Sequence, residues 1–304
     1  MNNKAILIIS SLMLVWANFA AAQKPVRVNE SDILFGHGSL PGFLVTIPEV
    51  PLKTIEDSWV KNIEKGTKSK VQKELGEMTI FGSIMKEIAG GPINVYSYVK
   101  QSDSAVLLAV SFELKKNEYI NSANREYEFG KAKEYLFLFA KSHYLDLAKE
   151  QLQTEEKKLK KLENDFESLQ NEKNKLDRLI QSNSSTIATT SDELVVLRAN
   201  LLSLNNELTS QNEQFKSLES GAAKDEKKKY IADLEKRIKK TNSDISSAEK
   251  KISSLTAESD MARNSSLPTN LKEQEKLSPQ VNQQKEVVNF YSNKFNTIKN
   301  YQAD

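Results

Sequence analysis

The middle of this chain contains almost no residues that interrupt an α-helix. Nine of the ten glycines lie before residue 131, only Gly221 follows, and residues 93–267 contain no proline. Relative to alanine, proline and glycine destabilise a helix interior by about 3 and about 1 kcal/mol. A stretch of this size with a single glycine therefore permits very long helices, which constrains the fold more than any other feature.

Apolar residues recur every seven positions through this stretch. One row runs from Leu145 to Ile187, and a companion row begins at Ala148, with Lys, Glu, Asn and Gln between them. Sustained heptads of this kind predict a left-handed coiled coil. Residues 181–191 (QSNSSTIATTS) carry no charge and are rich in Ser and Thr, so we expect a turn there.

Two further apolar seams follow, over 194–218 and 231–255, and they are out of phase with each other. A kink or short loop is therefore expected at Gly221. At about 1.5 Å per residue, helices over 121–180 and 191–262 would be roughly 90 and 108 Å long. These similar lengths favour one antiparallel hairpin that kinks near Gly221. The alternative is a shorter bundle in which the chain reverses direction again at that glycine.

Four seam positions carry polar residues, namely Lys173, Asn183, Gln211 and Thr241. Polar residues in a coiled-coil seam fix its register at a cost in stability. We favour this interpretation over a docking or hydration site.

The compact part of the chain is expected at residues 40–144, where most of the aromatic side chains needing a wide core occur. Residues 40–50, bounded by prolines, predict an edge strand. Residues 93–100 and 104–114 predict an antiparallel pair of strands. Apolar residues at helical spacing in 52–65 and 122–147 predict two helices that cover one face of the sheet.

These patterns predict an α+β fold: a small two-layer α/β sandwich head, a long antiparallel α-helical coiled-coil hairpin, and a C-terminal helix returning to the head. That helix should begin at Ser278-Pro279, and its aromatic residues Phe290, Tyr291 and Phe295 should contact the head or the helix leaving it. The expected division is a signal peptide (1–22), a flexible leader (23–39), the head domain (40–144), the coiled-coil hairpin (145–262), and a break and C-terminal helix (263–304).

The first residues have the three parts of a secretory signal peptide. Lys4 supplies a positive charge, residues 5–16 are apolar, and Ala20-Ala21-Ala22 precedes an expected cleavage site before Gln23. The apolar run is too short for the roughly 20 residues of a membrane-spanning helix. We therefore expect an exported chain whose mature form has no transmembrane segment.

The composition argues against several classes of function. The chain has no cysteine, and its 43 Lys and Arg nearly balance 41 Asp and Glu, so thiolate chemistry and nucleic-acid binding are not expected. His37, flanked by glycines, is interpreted as part of the flexible leader and not as a base or ligand. His143 is interpreted as a packing residue, and Gly90-Gly91-Pro92 as a turn.

No phosphate-binding loop, nucleophile elbow or zinc-binding motif occurs in the sequence. We therefore predict no catalytic, cofactor-binding or metal-binding residues, no cofactor, and a protein that is not an enzyme.

The head pattern GFLVTIPEVPLKTIEDSWVKNIEKG (42–66), the strands INVYSYVKQSDSAVLLAVSFEL (93–114) and the coil resemble those of uncharacterised exported coiled-coil proteins of Bacteroidetes-type bacteria. No activity or site residue is implied by this resemblance. It implies a bacterial context, and hence export to the periplasm, or secretion.

We expect a non-enzymatic periplasmic tether or scaffold that acts through protein–protein contacts of the head and the coiled coil. Its partners would be other proteins, or further copies of the chain joined through the coiled coil. The alternative is a periplasmic holdase chaperone similar in outline to the Skp family, in which helical arms enclose unfolded proteins.

Overall fold

The computed structural model describes residues 25–303, so the expected signal peptide lies outside the described residues. The described residues form two compact units, one made of residues 25–159 and 283–303 and the other of residues 160–282. The elements in chain order are β1 (Arg27–Phe35), β2 (Gly38–Pro48), α1 (Leu52–Ile63), β3 (Gln72–Glu74), β4 (Glu77–Ser83), β5 (Ile93–Ser102), β6 (Ala105–Lys115), β7 (Glu118–Tyr119), α2 (Glu126–Ser217), α3 (Ala222–Met261), a π-helical turn (Ala262–Ser266) and α4 (Leu267–Lys299).

The first unit contains a seven-stranded antiparallel sheet. Its strands lie in the order β1-β2-β6-β5-β4-β3, and β7 pairs with β6. The prediction of a flexible leader over 23–39 is wrong, because β1 pairs with β2 along its whole length, from Arg27 opposite Thr46 to Phe35 opposite Gly38. The buried Val26 and Val28 belong to the core on one face of the sheet and Ile33 and Phe35 to the cluster on the other, so β1 has no continuous alternation that would have marked it as a strand.

Strand β2 is an interior strand, so the prediction of an edge strand over 40–50 is also wrong. The two prolines of β2 are tolerated because neither lies in the middle of its ladder with β6. The ladder between β2 and β6 begins only at Phe43 and ends at Pro48, so Pro41 lies before it. The Pro41 carbonyl instead accepts a hydrogen bond of 2.6 Å from the Ser111 hydroxyl.

Helices cover one face of this sheet, which confirms the two-layer α/β sandwich. The buried residues of α1, spaced four apart, are Ile55, Trp59 and Ile63. Helix α2 adds Leu136 and Tyr144 to the same core, which includes side chains from strands β1, β2, β4, β5 and β6. The Trp59 indole donates a hydrogen bond of 2.9 Å to the buried Ser97 hydroxyl, so its one polar atom is satisfied.

The end of α4 belongs to this unit, which confirms a C-terminal helix that returns to the head. Ile298 is fully buried in the head core, and Phe295 packs against it. Lys294 is 5% exposed, and its ammonium donates hydrogen bonds to Glu49 and to Gln151. The same ammonium lies over the rings of two tyrosines, at 5.6 Å from the centroid of Tyr144 and at 5.9 Å from that of Tyr291.

The second unit is an antiparallel pair of helical segments, residues 160–217 of α2 and residues 222–282 of the return arm. The turn predicted over 181–191 is absent, because α2 runs unbroken through it. Both heptad rows continue in phase across this segment through Ile187 and Thr190. Continuity of the seam outweighs the weak helix preference of a Ser- and Thr-rich stretch.

The chain reverses direction at residues 218–221, between α2 and α3. Three contacts between the arms establish the antiparallel pairing; their partners are Glu207 with Tyr230, Arg198 with Glu249, and Asn183 with Glu258. The favoured prediction of a hairpin that only kinks near Gly221 is therefore wrong. The tip of the hairpin lies at this glycine, whose φ is +153°.

The break predicted over 264–270 is absent, and a π-helical turn at Ala262–Ser266 joins α3 to α4 instead. The seam of the return arm advances by one extra residue between Ala262 and Asn270, both of which are buried. A π-helical turn inserts one residue without ending a helix, so it absorbs this change of phase. The predicted helix start at Ser278-Pro279 is wrong as well, since Pro279 lies inside α4 on its exposed side.

Two of the four polar seam residues join the arms. Asn183 Nδ2 donates a hydrogen bond of 2.9 Å to Glu258, and the Gln211 side chain accepts one of 2.6 Å from Lys227. Thr241 bonds within its own helix, and Lys173 pairs with a neighbouring aspartate in the same helix. Register specification thus stays a prediction, with Asn183 and Gln211 as the residues that can exert it.

Among residues 25–303, no helix combines the length and apolar character that crossing a membrane requires.

Candidate functional site

The sheet face opposite the helices carries a second cluster of apolar and aromatic side chains. Its buried members are Ile33, Phe35, Leu40 and Ala109, and half-buried Leu44, Tyr96, Tyr98 and Tyr119 pack against them. Every member of this cluster comes from a strand or strand end. We call this surface the open face.

A buried carboxylate organises one end of the open face. Glu113, 6% exposed, accepts hydrogen bonds from Asn94 Nδ2 (2.8 Å), the Tyr96 hydroxyl (3.1 Å) and the Asn117 backbone N–H (2.8 Å). Burial raises the pKa of this carboxyl group, but these hydrogen bonds and the nearby His37 outweigh burial and hold the pKa below its ordinary value.

The same contact acts on Tyr96 in the opposite direction. Burial of the phenol, followed by the charge of Glu113 and the hydrogen bond to it, raises the pKa of Tyr96 to about 12. The phenol is therefore neutral across the physiological range and acts as a fixed hydrogen-bond donor to the carboxylate. This arrangement orients the Tyr96 ring on the open face.

His37 lies in the turn between β1 and β2, next to this tyrosine. Its ring centroid is 5.9 Å from that of Phe35 and 4.9 Å from that of Tyr96. The interpretation of His37 as part of a flexible leader is therefore wrong. Within the described part of the chain, no group of three His, Cys, Asp or Glu side chains is placed to hold a metal ion.

A pocket of about 550 Å³ lies beside His37 and Tyr96. Phe81 and Tyr96 form aromatic walls, with their rings edge to face at 6.3 Å. Glu74 and Glu77 also line the pocket, and they stand directly opposite each other on β3 and β4. One oxygen of Glu77 is anchored, because it accepts a hydrogen bond of 2.8 Å from the Gly36 backbone N–H.

The turn that joins β3 to β4 projects a leucine at the edge of this pocket. Leu75 and Gly76 form a two-residue hairpin loop with φ values of +48° and +85°. Such loops favour Asn or Asp at the first position, because a branched apolar residue is disfavoured in the left-handed region. Leu75 is nevertheless 98% exposed, so its side chain gains nothing from burial in this chain.

The other histidine is outside this site. His143 contacts Phe139 edge to face, with ring centroids 4.7 Å apart. Burial lowers the pKa of His143, against the opposing charge of Asp146. These contacts agree with the interpretation of His143 as a packing residue.

A separate groove of about 750 Å³ lies in the second unit, between α2 and α3. Val196 lines it, and this residue is 68% exposed; Val195 and Leu202 nearby on α2 are 69% and 64% exposed. The seam pairing of the hairpin therefore leaves some large apolar side chains uncovered.

The open face was not predicted from the sequence. The signal was present in β5, INVYSYVK, where Ile93 and Val95 alternate with Tyr96 and Tyr98. A strand with bulky residues on both sides packs against something on both faces of its sheet.

No protein-family model matches this chain, and no curated protein matches its sequence. Its residues alone therefore indicate what the site can do. The open face offers aromatic rings and tyrosine hydroxyl groups, which are enriched where proteins bind other proteins.

We expect Glu113→Gln to lower the free energy of unfolding by about 1–3 kcal/mol at pH 7, because a buried charged acceptor of three hydrogen bonds is lost. The folded-state pKa lies below the ordinary value of 4.5, so this stabilisation is complete above pH 4.5 and disappears as the pH falls through the folded-state pKa. Urea unfolding of both proteins between pH 7 and 3 measures this convergence. A difference that stays constant over this range would contradict it, and the exposed Glu87→Gln serves as the control.

Proposed function

We propose that this chain is a non-enzymatic tether or scaffold that acts in the periplasm after export. The head would bind a partner protein through its open face, and the hairpin would supply a second, separate contact. The tyrosine-rich sheet face that no helix among the described residues covers is the observation that carries this proposal.

The chemistry of the open face favours protein recognition over a packed interior. Tyr96 and Tyr98 are half-buried, so each presents ring surface to solvent as well as to the sheet. Phe81, in the irregular part of β4 opposite β5, is 50% exposed, and Leu75, in the loop of the β3–β4 hairpin, is 98% exposed. Aromatic anchors held on rigid strands lose little entropy on binding, which is how interface hot spots contribute affinity.

The hairpin supports the tethering half of the proposal. The part of α2 that lies in the second unit, residues 160–217, is roughly 87 Å long at about 1.5 Å per residue. A contact made near Gly221 would therefore be far from a contact made at the other end of the same hairpin. A protein that holds two binding partners apart needs a stiff element of this kind, and it needs no catalytic group.

Site-specific photocrosslinking in living cells tests the proposal. A benzoylphenylalanine residue at Phe81 or at Tyr98 should capture the same partner protein. The same residue at Tyr127, which is 74% exposed on α2, should not capture it. Capture from all three positions alike, or from none, would contradict the proposal.

Binding to the purified partner then separates specific docking from chance capture. We expect Phe81→Ser and Leu75→Asn to weaken binding about tenfold, since each removes an exposed apolar anchor. Tyr127→Ser should leave the affinity unchanged.

A holdase chaperone is the second candidate, and the exposed apolar residues on α2 favour it. Unfolded proteins bind exposed apolar surface, and Val195, Val196 and Leu202 supply some within two helical turns. Suppression of the aggregation of an unfolded outer-membrane protein, lost in a Val195→Ser/Leu202→Ser variant, would support this function. No suppression at stoichiometric amounts would exclude it.

A further inference from the structure

The pocket beside His37 contains two carboxylates that no lysine or arginine in the described part of the chain neutralises. Glu74 and Glu77 are directly opposite each other across β3 and β4, and both line the pocket. Like charges in directly opposite positions destabilise a sheet. Neither carboxylate forms an ion pair with a lysine or arginine among the described residues, and the residues that line the pocket include His37 but no lysine or arginine.

The remaining walls are those that cations prefer. Phe81 and Tyr96 present aromatic rings, whose faces attract an ammonium or guanidinium group. The hydrogen bond from the Gly36 N–H to one oxygen of Glu77 holds this side chain in place. Its other oxygen can therefore accept a hydrogen bond from a ligand with little loss of side-chain entropy. A carboxylate pair beside aromatic faces matches a planar guanidinium that can donate to two oxygens at once.

We infer that this pocket binds an arginine or lysine side chain of the partner protein, held between Glu74, Glu77 and the rings of Phe81 and Tyr96. The inference rests on the proposed function, because it names the partner chemistry for one end of the open face. Exposed Leu75 at the edge of the pocket would contact an apolar residue next to the basic one. The partner surface is therefore basic with an apolar neighbour.

The two histidines of the chain provide a direct test in the full mature protein. His37 lines the pocket, whereas His143 packs on α2, so their ring Hε1 signals in NMR spectra report the pocket and an internal reference. The probes are the tripeptide acetyl-Gly-Arg-Gly amide and the same peptide with citrulline, which has nearly the shape of arginine but no charge. We expect the arginine peptide to shift the His37 signal saturably and to leave His143 unchanged.

Variants of the two glutamates distinguish a binding role from a structural one. Glu74→Gln and Glu77→Gln should each weaken binding of the arginine peptide about tenfold, because each removes one charge-assisted contact. Glu74→Gln should also raise the thermal midpoint by about 1–2 °C without ligand, since it relieves like-charge repulsion, whereas Glu77→Gln should raise it less because it also weakens the hydrogen bond from the Gly36 N–H. A purely structural role for these carboxylates would lower the midpoint instead. Asp103→Asn, an equal charge change in the β5–β6 turn, is the control for both measurements.

Two results would overturn the inference. One is the absence of a His37 shift with the arginine peptide, and the other is an equal shift with the citrulline peptide. Either result leaves the proposed function intact if photocrosslinking from Phe81 and Tyr98 still captures one partner. Loss of that crosslink, with arginine binding retained, would instead contradict the proposed function alone.

Discussion

Gly42→Ala should lower the free energy of unfolding by about 3 kcal/mol, because no side chain fits at this position. An ideal Cβ on Gly42 would lie 2.3 Å from the carbonyl oxygen of Val110, 3.1 Å from its carbonyl carbon and 3.2 Å from Ile33 Cγ1. Backbone atoms of a central strand cannot move aside as the end of a flexible side chain can. The hydrogen bond from Ser111 to the Pro41 carbonyl holds β2 and β6 together at the same point.

Two other glycines provide matched controls for this substitution. A Cβ on Gly90 or on Gly130 would meet nothing within 4 Å. Gly90→Ala in a loop should be close to neutral, and Gly130→Ala within α2 should stabilise the protein by about 1 kcal/mol. Urea unfolding followed by Trp59 fluorescence measures all three. A Gly42→Ala protein as stable as the Gly90→Ala protein would show that β2 and β6 are not this close.

Glu49→Gln should destabilise the head by about 3 kcal/mol, while Lys294→Met should cost about 1 kcal/mol or less. The side chain of Lys294 is 6% exposed and that of Glu49 is 41% exposed. Without its anionic partner, the buried ammonium would have no compensating charge. Without the lysine, however, water can reach Glu49, and methionine can fill the space between the rings of Tyr144 and Tyr291.

The double variant tests whether this asymmetry has the stated cause. Once Glu49 is changed to Gln, Lys294→Met should recover most of the lost stability, since the unpaired charge is then removed. A double variant whose loss equals the sum of the two single losses would contradict the pairing. The measurement is again chemical unfolding, with Lys299→Met at the end of α4 as a control for loss of one lysine.

The parts of the fold that follow from local periodicity could be predicted from the sequence. Trp59 and its neighbours four residues away marked α1, and the heptad rows marked the coiled coil. The return of α4 could be predicted because large aromatic side chains such as Phe295 require a wider core than a helical seam provides.

The errors arose where a local preference opposed a longer pattern. Ser and Thr at 181–191 favoured a turn, yet Ile187 and Thr190 continue the seam and the helix continues with them. Residues 264–270, which include Pro268, suggested a break, and Ser278-Pro279 suggested a helix start. The helix instead continues through a π-helical turn at Ala262–Ser266 and carries Pro279 on its exposed side.

The candidate site could not be derived from motifs, because it is assembled from positions distant in the sequence. His37 reaches the pocket through the β1–β2 turn, Glu77 through β4, and Tyr96 through β5. Only the pairing of these strands brings the side chains together, and the order of strands in a sheet is a long-range property. The bulky residues on both faces of β5 were the one local indication.

The head is built from two stretches of chain that are separated in the sequence by the whole hairpin. Its core can therefore be completed only after the hairpin has been synthesised. Ile298 and Lys294 complete a core whose other members end at Ala148. During synthesis from the N-terminus, about 145 residues follow Ala148 before Lys294 is made, so the sheet is synthesised well before the last helix of its core. Such distant closure is slow, and apolar surface around Tyr144 stays accessible meanwhile. That surface is covered only when Phe295 and Ile298 reach the core.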